Sequence, residues 1–218
     1  MTRYWKSHRA RLLDVIIRLE LRRRLAGMHT RGCFTGNRGV VNLIVANHTG
    51  RYDGFAIWRA WFAGQKGGRL YTLMLQAQLD RYRIFNGAGA IGFVPDRPQT
   101  LFRIARFVST DLVAGDAILM FPQGRIMPGD ALPLRFGQLP RLATWSPYRV
   151  QLTAVGLATE MLHGTKPSLF MDIDEPVMLS PDDDIVGLAE QRVAGRVKAI
   201  RHLLHTHGEQ AITQFSMT

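Results

Sequence analysis

Past residue 38 the chain alternates short β-rich runs with stretches of helical periodicity, and no other feature limits its possible folds as much. Runs rich in Val, Ile, Leu and Phe fall at 40–46, 70–75, 90–94, 117–121 and 150–155, each the length of one buried strand. Helical patterns fill the gaps at 54–63, 100–114, 139–144 and 185–205, the last preceded by an acidic cluster, 182–184, placed to cap it. A further strand is expected near 169–173. Strands separated by helices predict an α/β fold: a single layered domain whose mostly parallel central sheet is flanked by helices. With 218 residues, 46% of them hydrophobic, the chain has enough apolar material for one core.

The first 38 residues differ in charge. They hold ten basic and two acidic residues, so they carry +8 of the chain's formal +11. From 4 to 28 the pattern predicts a basic amphipathic N-terminal helix, with Trp5, Leu12, Leu13, Val15, Ile16, Ile17, Leu19 and Leu21 set among Arg9, Arg11, Arg18, Arg22, Arg23 and Arg24. Such a helix suits an anionic membrane surface, the preferred reading; docking on its own domain with a solvated basic face is the other, and the two can coexist. We therefore divide the chain into residues 1–38, the helix and its lead-in, and residues 39–218, the layered domain.

Several classes are excluded or disfavoured. Arginines interrupt every apolar run before it reaches the roughly 18 to 20 residues of a spanning helix. The run from Val15 to Leu21 is broken by Arg18 and Glu20, so no cleavable signal peptide is expected. Cys33 is the only cysteine, which rules out an intrachain disulfide or a cysteine metal cage and fits a reducing compartment. Although 24 of the 28 basic residues are arginine, there is no aromatic-interleaved RNA motif, zinc finger or helix-turn-helix, so no nucleic acid partner is expected. His202, His205 and His207 lack a supporting carboxylate at ligand spacing, so no metal is expected. Asp172, Asp174 and Glu175 read as a solvated turn before Pro176.

Chemistry begins where the first strand of the layered domain ends. Val41-Asn42-Leu43-Ile44-Val45-Ala46 runs into Asn47-His48-Thr49-Gly50-Arg51-Tyr52-Asp53, which delivers a histidine into a glycine-containing turn. In open α/β sheets the crevice beyond the strand ends is where ligands bind. Five residues apart on a helix, His48 and Asp53 would diverge; they meet only if a loop folds between them, which Gly50 permits. A neutral imidazole so placed takes the proton of an acceptor hydroxyl, while a carboxylate on its other nitrogen fixes the tautomer. A thioester donor is already activated, so no Ser or Cys nucleophile is needed. The spacing alone is weak evidence, since chance supplies about 0.4 His-x4-Asp matches in such a composition. Read by itself it also fits a helix-capping Asp53 and a loop His48.

Together with segments near residues 90 and 121, these residues resemble the glycerolipid acyltransferase family, the group that includes lysophosphatidate acyltransferases, over roughly residues 40 to 160. Asn47 to Asp53 matches the family's NHxxxxD motif in full, which implies that His48 is the catalytic base and Asp53 its partner. Gly89-Ala90-Ile91-Gly92-Phe93-Val94-Pro95-Asp96-Arg97 looks like the second motif and makes Arg97 a contact for an acceptor phosphate; read alone, Arg97 also fits an ion pair with Asp96. Phe121-Pro122-Gln123-Gly124-Arg125-Ile126 resembles the third motif, usually FPEGTR, and departs from it: Gln123 replaces glutamate, Arg125 replaces threonine and Ile126 replaces arginine. Gln123, Gly124 and Arg125 are accordingly the candidate acceptor contacts beside Arg97. Pro133-Leu134-Arg135-Phe136-Gly137 and the strand from Val150 to Gly156 fall where the family has a basic segment and an apolar fourth motif, without specificity.

The resemblance implies an O-acyltransferase of phospholipid biosynthesis, moving a fatty acyl group from acyl-CoA or acyl-carrier protein to a lysophospholipid or other lipid hydroxyl. It implies no tightly bound cofactor and a cytoplasmic enzyme held peripherally on the inner face of the membrane. The altered third motif opens a second acceptor class, a non-phosphorylated lipid such as a carotenoid glycoside. Charge alone supports a rival of another kind, a noncatalytic basic module binding lipid or nucleic acid. Trp58, Trp61 and Phe62, on the helix after Asp53, could line an acyl channel, but core packing is the preferred reading of them.

Overall fold

A computed structural model describes residues 4–35, 37–64, 68–95, 97–129, 131–162 and 164–217. In chain order its elements are α1 (Ser7–Arg24), β1 (Gly27–Arg31), β2 (Val41–Ala46), α2 (Asp53–Gly64), β3 (Leu70–Leu75), α3 (Gln76–Arg81), β4 (Ala90–Phe93), α4 (Pro98–Thr110), β5 (Ala117–Met120), β6 (Val150–Glu160), β7 (Ser168–Ile173), β8 (Val177–Met178), α5 (Ile185–His207) and β9 (Ser216–Met217). Short 3₁₀ turns lie at Arg83–Phe85, Leu139–Trp145 and Gly208–Gln214.

The described strands form one sheet in the order β4-β3-β5-β2-β6-β7-β1-β9, with β8 beside β6. From β4 to β6 every neighbour pair is parallel. β7 then turns antiparallel to β6, and β1 runs parallel to β7. The fold is therefore an α/β layered domain with a mostly parallel central sheet, preceded by an N-terminal helix.

The two faces of the sheet are covered separately. Val41, Leu43 and Val45 of β2 pack with α4, α5 and the 139–145 turn, while Ile44 and Ala46 pack with α1 and α2. All six residues of β2 are buried, as expected of an interior parallel strand with helices on both sides. α1 lies on its domain through Ala10, Leu13, Ile17 and Leu21. Trp5 stacks on Trp58 at 6.0 Å, and Asp14 bonds both Arg18 and Arg59. Leu12, Val15 and Leu19 face the opposite way and are 53%, 53% and 61% exposed.

The structure corrects several boundaries. The N-terminal helix expected over 4–28 ends at Arg24, and residues 27–31 are strand β1, drawn into the sheet by pairing with β7. Helix propensity there yields to tertiary pairing. α4 begins at Pro98, a favoured first-turn residue, and stops at Thr110, short of the expected 114. The 139–144 segment is 3₁₀ rather than α. β6 runs eleven residues, through Gly156, where an added Cβ would lie 2.6 Å from Cβ of Arg196; the glycine that hides the strand in the sequence is what lets α5 approach it. α3 has no counterpart among the sequence-based expectations. At the start of α5, Asp184 occupies the cap position without a side-chain cap bond, and Asp183 instead accepts the Ser180 N–H.

At the β4 edge of the sheet, Nη2 of Arg103 donates to the Gly92 carbonyl at 2.5 Å. The start of the chain runs alongside: Trp5 bridges Ala88, Lys6 N–H donates to the Gly87 carbonyl and Gly89 N–H to that of Tyr4.

Candidate active site

The parallel strands β2 to β6 end along one margin, and β2, between β5 and β6, leads into the candidate site. His48 stands two residues past β2, and Asp53 opens α2. The intervening loop folds back so that Nδ1 of His48 lies 2.8 Å from Oδ2 of Asp53. The same oxygen accepts the Thr49 N–H at 2.6 Å and the Gly50 N–H at 2.8 Å, while Oδ1 accepts the Thr49 hydroxyl at 3.2 Å. Asp53 is 0% exposed, so its charge is met by donors of its own loop and by the N-terminal end of α2. With the Nδ1 proton committed to Asp53, the neutral ring presents Nε2 as its free acceptor. Among the described residues none hydrogen-bonds that nitrogen, and the side chain keeps 24% of its exposure.

Three contacts from the loop after β5 hold His48. The ring of Phe121 stacks on the imidazole at 4.4 Å and 25°. Oε1 of Gln123 accepts the His48 N–H at 2.7 Å, and Met127 N–H donates to the His48 carbonyl at 2.8 Å. On the other side the Asn47 side chain donates to the Leu157 carbonyl at 2.9 Å and accepts the Leu157 N–H at 2.8 Å, tying the loop to β6 beyond the last strand pair, Ala46 with Val155. Behind the loop, Arg201 of α5 pairs with Glu160, and its guanidinium fills the place of a side chain at Gly129.

The other sequence-derived candidates are distributed unequally. Gln123 touches the histidine's main chain, whereas Gly124 and Arg125 face outward and are exposed. Gly124 has φ +70, with open space where a side chain would be. Ile126 is 54% exposed. Arg97 is exposed at the start of α4, past a strand three places from β2, roughly 14 Å away at the ~4.8 Å strand spacing. Its suggested partner Asp96 lies outside the described residues.

Trp58 and Trp61 are 5% and 1% exposed and belong to the core under α1, and Phe62 packs against Trp5. His202, His205 and His207 are exposed, and the described residues contain no metal-binding group. Phe136, in the segment read as the family's basic one, donates its N–H to Glu190. Sequence reading missed Asn47, Phe121 and Met127 as supports of His48; the first two open the first and third motif segments, the only signal that could have flagged them. It also missed His29, a histidine of β1 only 3% exposed and stacked on Phe170, whose burial pushes its pKa down.

A layered α/β sheet carrying a buried carboxylate and a half-open histidine at its strand ends defines the class of protein to compare. Among solved structures the chain is similar to the 1-acyl-sn-glycerophosphate (LPA) acyltransferase PlsC from Thermotoga maritima, with TM-score 0.60 and 15% identity over 87% of this chain and 79% of that one. At that identity the likeness is one of fold. No family model and no curated protein matches the sequence.

Proposed function

We propose that the chain is an O-acyltransferase that moves a fatty acyl group from a thioester, acyl-CoA or acyl-carrier protein, to a hydroxyl of a lipid acceptor. The observation carrying this reading is the His48–Asp53 pair, bonded at 2.8 Å through Nδ1 with Nε2 open to the site. The acceptor hydroxyl gives its proton to Nε2 as its oxygen attacks the thioester carbonyl. Asp53 stabilises the imidazolium that forms. Collapse of the tetrahedral adduct breaks the carbon–sulfur bond, the imidazolium returns the proton to the leaving thiolate, and ester and thiol result.

Arg97 and Arg125 are the cations offered to an acceptor phosphate. The exposed Ile126, where arginine is usual, favours a second acceptor class, a non-phosphorylated lipid such as a glycosylated one. No helix among the described residues is long and apolar enough to cross a membrane. The outward row Leu12, Val15 and Leu19, bordered by exposed Arg11, Arg18 and Arg22, supports peripheral attachment to an anionic leaflet, taken to be the inner face.

The test is to incubate the purified protein and its His48→Ala variant with radiolabelled acyl-CoA, then labelled acyl-carrier protein, plus a total lipid extract. Label entering lipid only when His48 is present is the expected result, and the product names the acceptor. A folded protein that labels no lipid from either donor overturns the reading in favour of a basic binding module; equal labelling by the alanine variant overturns the role of His48.

A further inference from the structure

We infer that Gln123 is a positioning residue that holds His48 by its main chain, and is not a contact for the acyl acceptor; its kinetic consequence rests on the acyl-transfer reading above. His48 lies just beyond the last ladder pair of β2, so its N–H has no strand partner there. Oε1 of Gln123 supplies one at 2.7 Å. Two residues before it Phe121 stacks on the imidazole, and four residues after it Met127 binds the His48 carbonyl, so one loop fixes ring, N–H and C=O together. Gly124, at φ +70, reverses the chain after Gln123, which leaves Gln123 pointing inward while Arg125 and Ile126 point to solvent.

The bond needs only a carbonyl-type oxygen at that place. A carboxylate would accept the same N–H, so a glutamine and a glutamate are equivalent for this task, and the departure at position 123 leaves the histidine's placement intact. The difference lies in charge: with the neutral amide, Asp53 is the one carboxylate among the described residues that bonds His48. Contact with an acceptor's polar group then falls to the outward-facing Arg125 and to Arg97.

The experiment compares the full chain with Gln123→Ala and Gln123→Glu in two measurements. Hydrogen exchange of the His48 amide, followed by NMR on nitrogen-15-labelled protein, is expected to be slow in the full chain and in Q123E and about tenfold or more faster in Q123A. Steady-state transfer from palmitoyl-CoA to lysophosphatidate in phosphatidylglycerol vesicles is expected to show kcat lowered about ten- to a hundredfold in Q123A, with acceptor KM nearly unchanged and kcat restored in Q123E. Equal protection of the amide in all three proteins, or a raised acceptor KM with kcat held, overturns the inference. If the full chain transfers no acyl group, it is the proposed function that fails, and the exchange rates alone decide the role of Gln123.

Discussion

Asp53 is bonded by four donors while wholly buried, and that asymmetry sets the consequence of changing it. In Asp53→Asn the negative charge is lost and one oxygen becomes an NH₂ donor. The bonds to the Thr49 and Gly50 N–H groups and to Nδ1 survive as weaker, neutral ones only if the Thr49 hydroxyl turns to accept, and the anion that stabilises the imidazolium is gone. We expect a stability loss of about 1–3 kcal/mol by urea denaturation and a fall in transfer rate of about a hundredfold or more. The strand, histidine and glycine turn in succession made a meeting of His48 and Asp53 possible in the sequence, and the resemblance to the NHxxxxD motif is what singled the pair out. Gln123 could be found only as a residue type. Whether it faces substrate or backbone depends on the turn at Gly124 and on which strand lies beside β5, and neither is written in a local pattern. Asn47 escaped for the same reason: its partner Leu157 is 110 residues away.

At the level of elements, α1 presents two apolar faces with different duties. Ile17, 1% exposed, belongs to the docked face; Ile17→Ala should cost about 2–5 kcal/mol in urea denaturation. Leu12→Asp with Leu19→Asp, on the outer face, should leave the unfolding midpoint nearly unchanged and abolish sedimentation with phosphatidylglycerol vesicles. Retained vesicle binding would remove α1 from the membrane contact. The interior strands were legible because burial on both faces makes them continuous apolar runs. β1 was not, since Gly27-Met28-His29-Thr30-Arg31 has neither alternation nor an apolar run and becomes a strand only by lying beside β7.

For the whole molecule, the α/β class followed from the order of elements, whereas the reversal of direction at β7 depends on non-local pairing that no periodicity records. β1, lying parallel beside β7, buries His29 against Phe170 and ties global stability to pH. Burial lowers the His29 pKa below its ordinary value near 6.5, so the unfolded chain binds a proton in a range where the folded one does not. Stability from this source is full above that ordinary value and declines as pH falls below it towards the folded pKa. The urea midpoint should drop between about pH 7.5 and pH 5.5, and His29→Phe, which keeps the stack on Phe170, should flatten that slope.

The opposite margin of the sheet carries a different consequence. An edge strand with open carbonyls is a template on which another molecule can add a strand. At β4 the Gly92 carbonyl is taken by Arg103, and the flanking 87–89 segment is paired with the beginning of the chain. A strand added on that side has to displace Arg103 and the start of the chain, which hinders the edge-to-edge stacking from which fibrils grow when the protein is crowded.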